Sequence, residues 1–347
     1  MSLISLLENP ELKRRYAKVK RYFHLRESAY DVTSACQLRC QGCYYFSGAK
    51  YTVRDDRDVS HWKRHLEGEK SRGINYVNLA GAEPSLVPDI LRACYQTIPL
   101  GTIFTNGLIP IDREIGYRIH ISVWGNAMGD SLLRPLASRR PTAPHLPTQL
   151  DNYRNDQRVI FVYTFNETNV GQVEEVVRAV KAEGHRLTFN VFSPPEGFHS
   201  GSGGNAWLDE VRSAMLVMLD KYSDTVLYSQ YSARVHSDSR GLRERFGCPY
   251  PRASLADLNA IGIGTSFRSY RADFTHESTT DCCVPDTDCS TCRHYAAGSA
   301  IVTHRLDLHT ASEALFRGWL DYVDTYLAVW LVGYQRDPDL YTMTSQF

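Results

Sequence analysis

Three cysteines, Cys36, Cys40 and Cys43, stand in "CQLRCQGC", a CxxxCxxC spacing that brings three thiolates onto one short loop. Such a set can hold three irons of a four-iron, four-sulfur cluster and leave the fourth iron without a protein ligand. A structural zinc ion would need a fourth ligand to close its tetrahedron; His61 and His65 are the sequence candidates, but they belong to the next helical pattern. Unligated thiols are the third reading. A second group lies in "DCCVPDTDCSTCRHY", where Cys282 and Cys283 precede the CxxC pair Cys289 and Cys292, with Cys248 upstream in "FGCPY". A CxxC delivers two thiolates to one metal or cluster corner, and two distant thiolates can complete it as an iron-sulfur or zinc site. Nine cysteines, an odd number concentrated in two places, suit ligation better than a disulfide framework. The ninth, Cys94 in "ILRACYQTI", reads as a small buried hydrophobe on a helix.

The elements that must position these groups alternate between strand-like and helical patterns. Strand candidates are 29–33, 75–81, 101–106, 118–124, 158–165 and 186–192; helix-like segments at 59–73, 86–97 and 170–184, an irregular piece near 107–117 and a Pro-rich insertion lie between them. That βα cadence predicts parallel strands with right-handed crossovers. The fold expected is α/β, a partial (β/α)6 TIM-like barrel with a small C-terminal cysteine-rich appendage, and 347 residues suffice for both. We expect an N-terminal helical segment over 1–28, the barrel over 29–235, and over 236–347 the cysteine-rich region, including the β-like stretch 258–274, with a closing helix whose Leu, Trp and Tyr stripe serves core or lid packing. Cys36, Cys40 and Cys43 then follow the first strand, on the face where parallel barrels gather their chemistry.

With those placements, "CQLRCQGC" resembles the CxxxCxxC signature of the radical S-adenosylmethionine superfamily. The resemblance implies a [4Fe-4S] cluster on Cys36, Cys40 and Cys43 whose open iron binds the amino nitrogen and carboxylate of S-adenosyl-L-methionine. One electron then splits the sulfonium bond, and the resulting 5'-deoxyadenosyl radical abstracts hydrogen from substrate. Other strand ends are similar to the family's landmarks. "AGAEPSL" resembles the GGEP motif whose carbonyls and carboxylate receive the substrate ammonium, with Gly81 and Glu83 matching and Ala80 departing from its first glycine. "FTNG" supplies Thr105 and Asn106; "ISVWG" resembles the SxDG strand end, with Ser122 in place and Trp124 where an acid is frequent. "FNETNV" offers Asn166 or Asn169 as a cofactor contact, with Asx-type capping as their competing role. Gly42 stands where the family often has an aromatic residue, a surface that Tyr44 or Tyr45 would partly replace. The likeness spans roughly residues 29–195.

The second cysteine group resembles the SPASM or twitch extensions that carry auxiliary clusters, which implies an auxiliary [4Fe-4S] cluster on Cys248, Cys283, Cys289 and Cys292, with zinc as the alternative. Cys282 would then be spare and a candidate hydrogen-atom donor, against the plainer reading of a thiol turned into the core. Candidate substrate-facing residues are Trp124, Tyr163, Asn190 and Tyr231, with His199 in the glycine-rich gate "GFHSGSGGN". Such groups suit a small polar molecule, such as a sugar, nucleoside or amino acid.

Lys plus Arg and Asp plus Glu both total 39, which gives no argument for a nucleic-acid or membrane partner. The opening "MSLISLLENPELKRRY" is too charged for a secretory core and "LAVWLVGY" too short to span a bilayer, so a soluble, cytoplasmic protein is expected. The basic run Lys13, Arg14, Arg15, Lys18, Lys20 and Arg21 is either a solvated helix face or a dock for the flavodoxin or ferredoxin that single-electron chemistry requires. The expected function is hydrogen abstraction from a small polar substrate. Its alternatives are a peptide- or protein-modifying enzyme, against which stands the lack of an N-terminal winged-helix pattern, and a non-catalytic iron-sulfur or zinc protein, against which stands Glu83.

Overall fold

The computed structural model describes residues 1–43, 45–46, 54–138, 144–193, 206–247, 268–275, 293, 302–303 and 305–336. Seven parallel strands form one sheet: β1 (Glu27–Asp31), β2 (Tyr76–Ala80), β3 (Gly101–Thr105), β4 (Arg118–Val123), β5 (Val159–Phe165), β6 (Arg186–Val191) and β7 (Ser269–Tyr270). The order β6-β5-β4-β3-β2-β1-β7 steps once per crossover through the first six strands, as a partial barrel requires. The six strands expected from sequence are present within two residues of their predicted limits. The seventh is a correction: Ser269–Tyr270, inside the stretch 258–274 assigned to the appendage, pairs with Ala29 and Tyr30 of β1.

Alternation along each strand sorts the side chains into two cores. Outward residues such as Leu79, Ile103, Ile121, Phe161, Tyr163 and Phe189 pack with Trp62, Leu66, Leu91, Cys94 and Val176 from the covering helices. Cys94 is thus the buried hydrophobe expected of it. The helix Val173–Ala182 shows why these segments fold: Val173, Val176, Val177 and Val180 recur at helical spacing and are all buried, and Gly184 at φ 72° follows the helix end.

The inward side chains at the N-terminal ends of the strands close on the helix Glu313–Trp330. The last carbonyls of any helix lack intrahelical partners, and here barrel residues supply them. The Tyr76 hydroxyl donates to Trp330 O at 2.9 Å, Arg118 Nη2 donates to the carbonyls of Ala328 and Leu331, and His120 Nε2 lies 3.0 Å from Val329 O. A guanidinium at this end also complements the helix dipole. The closing helix therefore packs as core, as one of its two expected roles had it, and it does so at the end of the barrel opposite the cysteine loop.

The N-terminal helix Pro10–Lys20 lies along the closing helix. Arg15 pairs with Asp321, Lys18 with Asp324 at 2.9 Å, and Arg317 with Glu11 at 2.8 Å. Arg15 and Lys18 of the basic run are therefore held in ion pairs against the closing helix. No described helix is long and apolar enough to cross a membrane.

Candidate active site

The cysteine loop is zipped onto the end of β2. Val32 N donates to Ala80 O at 3.0 Å, Ala82 N to Thr33 O at 2.9 Å and Glu83 N to Ala35 O at 3.0 Å. This approach explains Gly81: its φ is 103°, and a side-chain carbon there would stand 2.6 Å from Thr33 O. Glu83 then turns inward. Its carboxylate, 1 % exposed, accepts from Ser85 N at 3.0 Å, Thr105 Oγ1 at 2.6 Å and Asn106 N at 2.8 Å. Three donors hold this carboxylate between the ends of β2 and β3, so it braces the two strand ends against each other. Asn106 extends the brace to the cysteines: its Oδ1 accepts from Gln37 Nε2 at 3.2 Å, and its Nδ2 lies 3.9 Å from Cys36 Sγ.

A second set of contacts fixes the loop from the other side. Arg39 N donates to Pro135 O and Gln41 N to Leu133 O, both at 2.8 Å, and Ala137 N returns a bond to Gln37 O at 2.8 Å. With the antiparallel bridge Leu38–Leu136, these make a short ladder between residues 37–41 and 133–137. The chain then turns at Gly42, φ 68°, where Cys43 N donates to Cys40 O at 3.2 Å. That left-handed conformation gives a physical reason for glycine at the position where the family often has an aromatic residue.

All three thiols are half-buried. Burial above all, with a smaller contribution from neighbouring thiols, pushes Cys36 up to about 11 and Cys40 up to about 12. Burial raises Cys43 as well. Such thiols give up their protons to a metal centre that stabilises thiolate. Among the described residues no three His, Cys, Asp or Glu side chains converge on one ion. Three thiols on one loop are the donor set of a cubane with one corner left open, since each corner takes one thiolate.

The fold can be compared with known structures once this geometry is in place. No protein-family model matches the sequence, and no characterised protein matches it at the sequence level. Among solved structures, Streptococcus suis SuiB bound to S-adenosylmethionine is similar with a TM-score of 0.51 at 16% identity, over 77% of this chain and 63% of that one. SuiB bound to precursor peptide SuiA matches with a TM-score of 0.51 at 15% identity, over 77% and 62%. Native anSMEcpe with bound AdoMet matches with a TM-score of 0.50 at 12% identity, over 74% of each chain. These are radical S-adenosylmethionine enzymes. The chain has the radical S-adenosylmethionine fold. Its match covers less than two thirds of the SuiB chain.

Several expected residues lie at the C-terminal ends of the strands, the face where parallel barrels gather their chemistry. Ser122 ends the inward row of β4, and its carbonyl accepts from Gln149 Nε2 at 3.1 Å. Trp124 packs edge-on against Phe192 with ring centroids 5.5 Å apart. Asn190 Nδ2 donates to Thr164 Oγ1 at 3.3 Å, which leaves its buried Oδ1 as an open acceptor among the described residues.

Other expected residues are placed elsewhere. Tyr163 is a correction: it shares the outward parity of Phe161 and Phe165, is fully buried in the helix-covered core, and donates its hydroxyl to Asn169 O at 2.7 Å. Tyr231 packs against Gly318 and Tyr322 of the closing helix and pairs with His309 at 2.6 Å. Asn169 is fully buried and braces its own loop, donating to Trp124 O at 2.9 Å and Thr164 O at 2.8 Å and accepting from Asn166 N at 2.9 Å. Asn166 closes an Asx turn by accepting from Thr168 N at 2.9 Å. Asn166 thus forms an Asx turn, whereas Asn169, at the start of the turn Val170–Gln172, makes no side-chain capping bond to it and ties its own loop instead. Tyr44, His199, Cys248, Cys282, Cys283, Cys289 and Cys292 lie outside the described residues.

Sequence reasoning missed Gln149, whose buried amide joins Asn106 O at 2.7 Å to Ser122 O. It also missed the buried pair Asp130–Arg134, and Asp31, which ends β1 inside the mouth and meets Arg271 at 3.1 Å. Burial holds the Asp31 carboxyl up at about 6 despite that cation. The i, i+4 spacing of Asp130 and Arg134 was a readable signal; the Asp31–Arg271 contact joins residues 240 positions apart and had none.

Proposed function

We propose that the protein is a radical S-adenosylmethionine enzyme that abstracts hydrogen from a small polar substrate. The observation that carries the reading is the triple-cysteine loop held at the C-terminal end of β1 by the Glu83 brace and the 133–137 ladder. A [4Fe-4S] cluster on Cys36, Cys40 and Cys43 would supply the electron that splits the sulfonium of S-adenosylmethionine into methionine and a 5'-deoxyadenosyl radical. The chain's own part is positioning. Thr105, Asn106 and Gln149 lock the ends of β3 and β4, Gly81 lets β2 approach the loop, and Ser122 faces the cofactor position. The Asn190 amide and the Asp31–Arg271 pair offer an acceptor, a carboxylate and a guanidinium to a polar substrate.

A peptide substrate is the second reading, favoured by the likeness to SuiB seen with its precursor peptide. Incubation with free amino acids, nucleosides and sugars against short peptides separates the two through substrate-dependent 5'-deoxyadenosine release. The auxiliary [4Fe-4S] cluster, or zinc, on Cys248, Cys283, Cys289 and Cys292 is also proposed. It is supported by their spacing and by Arg293, next in sequence after Cys292, whose N–H donates to Ser193 Oγ at 2.7 Å beyond β6. A flavodoxin- or ferredoxin-type protein would deliver the electron. Dithionite-reduced, iron-loaded protein should cleave S-adenosylmethionine; a loaded protein that yields no 5'-deoxyadenosine overturns the enzymatic reading.

A further inference from the structure

We propose that Arg134 is a built-in electrostatic partner of the cluster, set opposite Cys40 to raise its reduction potential, with Asp130 moderating the effect from behind. This rests on the cluster assignment above. The ladder between residues 37–41 and 133–137 has a fixed register. Arg39 bonds to Pro135, Gln41 to Leu133, Ala137 to Gln37, and Leu38 bridges Leu136. In each pair the residue numbers move oppositely by the same step, so Cys40 stands directly across from Arg134. Bonds run through the pairs on either side, which makes Cys40 and Arg134 a non-hydrogen-bonded pair, the kind whose side chains approach most closely on one face.

Arg134 has little freedom to leave that position. Its side chain is 2 % exposed, and its Nε and Nη2 donate to the two Asp130 carboxylate oxygens at 3.0 and 2.7 Å. Asp130 is itself fully buried and accepts from Trp124 N, while His145 Nε2 lies 2.8 Å from Arg134 O. A bidentate pair sealed from water is a costly way to hold a loop, because apolar residues do the same at less desolvation cost. What it adds is a fixed charge in a low-dielectric setting beside a thiolate. A cluster's potential follows the net charge and hydrogen bonds around it, and a cation nearer than its counter-ion favours the reduced, more negative state.

The test is a redox titration of the reconstituted cluster, followed by electron paramagnetic resonance, in wild type, Asp130→Asn, Arg134→Gln and the double variant. The amide introduced by Asp130→Asn keeps an oxygen acceptor for Trp124 N, and the double variant removes both charges without stranding either. Iron and sulfide content are measured first: failure of wild type to load cluster refutes the cluster assignment itself. With cluster loaded, midpoints should fall in the order Asp130→Asn above wild type, wild type above the double variant, and Arg134→Gln lowest. The outer pair should differ by at least about tenfold in reduced-to-oxidised ratio at a fixed potential, about 59 mV for one electron. Identical midpoints, or the reverse order, overturn the proposal and leave Arg134 a purely structural residue.

Discussion

The two ends of this barrel are stabilised by opposite means. At the N-terminal end, large side chains meet a helix: Trp330 lies among Tyr76, Phe104, His120 and Tyr326, and Arg118 and Tyr76 donate to carbonyls at the helix end. At the C-terminal end, short polar side chains and backbone groups tie loop to loop, as Glu83 does for three donors and Gln149 for two carbonyls. The difference separates stability from chemistry. Apolar burial is non-directional and strong, whereas hydrogen-bonded loops fix positions at small net stability.

Replacing Cys36, Cys40 and Cys43 together by alanine gives the largest functional effect at the smallest structural one. Loop iron and 5'-deoxyadenosine release should both vanish, while far-ultraviolet circular dichroism and the melting temperature stay near wild type. Iron remaining at about four atoms per chain would locate a second four-iron cluster on the C-terminal cysteines. Trp330→Ala is the converse experiment at the other end. Removing this buried indole should cost about 3–5 kcal/mol in urea unfolding, with S-adenosylmethionine cleavage per folded molecule unchanged. A Trp330 variant that is stable but inactive would show that the closing helix reaches the chemistry.

Glu83→Gln combines both effects. The amide must present an N–H to one of the donors that the carboxylate now accepts, so stability should fall by about 1–3 kcal/mol. As the brace orients Asn106 beside Cys36, S-adenosylmethionine affinity or cleavage should fall about 10–100-fold, the usual range for a group that supports metal ligands. Equilibrium binding and 5'-deoxyadenosine assays check this. If stability falls and binding does not, Glu83 serves the fold alone.

This contrast also explains what could be read from sequence. The six main strands were legible because outward rows such as Phe161, Tyr163 and Phe165 are apolar under helices of matching periodicity. The cysteine triplet and "AGAEP" were legible because a compact loop and a close approach at Gly81 need specific residues at fixed spacing. The two-residue β7 was not, since so short a strand carries no periodicity and exists only through pairing with β1. Tyr163 was misassigned because a residue's nearness to a strand end says nothing of its parity. Gln149 and Arg271 act through contacts distant in sequence, which no local pattern encodes.

Acid separates the two ends by sign. His120, inside the barrel near the closing helix, and His236, against Tyr322, are held down at about 3 by burial, against an ordinary value of 6.5. Between those values the unfolded chain holds more protons than the folded one, so stability falls as pH drops below 6.5, each imidazole contributing about 1.4 kcal/mol per pH unit. Asp31 at the mouth runs the other way: raised to about 6 from 3.8, it binds its proton more tightly in the folded state, and stability declines as pH rises through that window. Urea unfolding at pH 7.5 and 6 lies largely above the Asp31 window and should show the loss; burial also lowers His145, His185 and His309, so His120→Gln should remove part of the slope. An unchanged slope would mean that His120 takes up its proton in the folded protein.

Tyr163→Phe should give the smallest effect, and it tests the boundary between the two regions. The side chain is on the helix-covered face, but its hydroxyl reaches Asn169 O, and Asn169 in turn holds Trp124 O in the mouth. If the inner and outer layers are independent, loss of this hydroxyl should cost about 1 kcal/mol, because the ring still fills its site and only one bond is lost. Cleavage of S-adenosylmethionine should not change. If the variant keeps its stability but loses substrate-dependent 5'-deoxyadenosine, the Tyr163–Asn169–Trp124 relay sets the mouth from behind the sheet. The outer core would then share in positioning the substrate, and the separation between the two ends would not extend to the two faces.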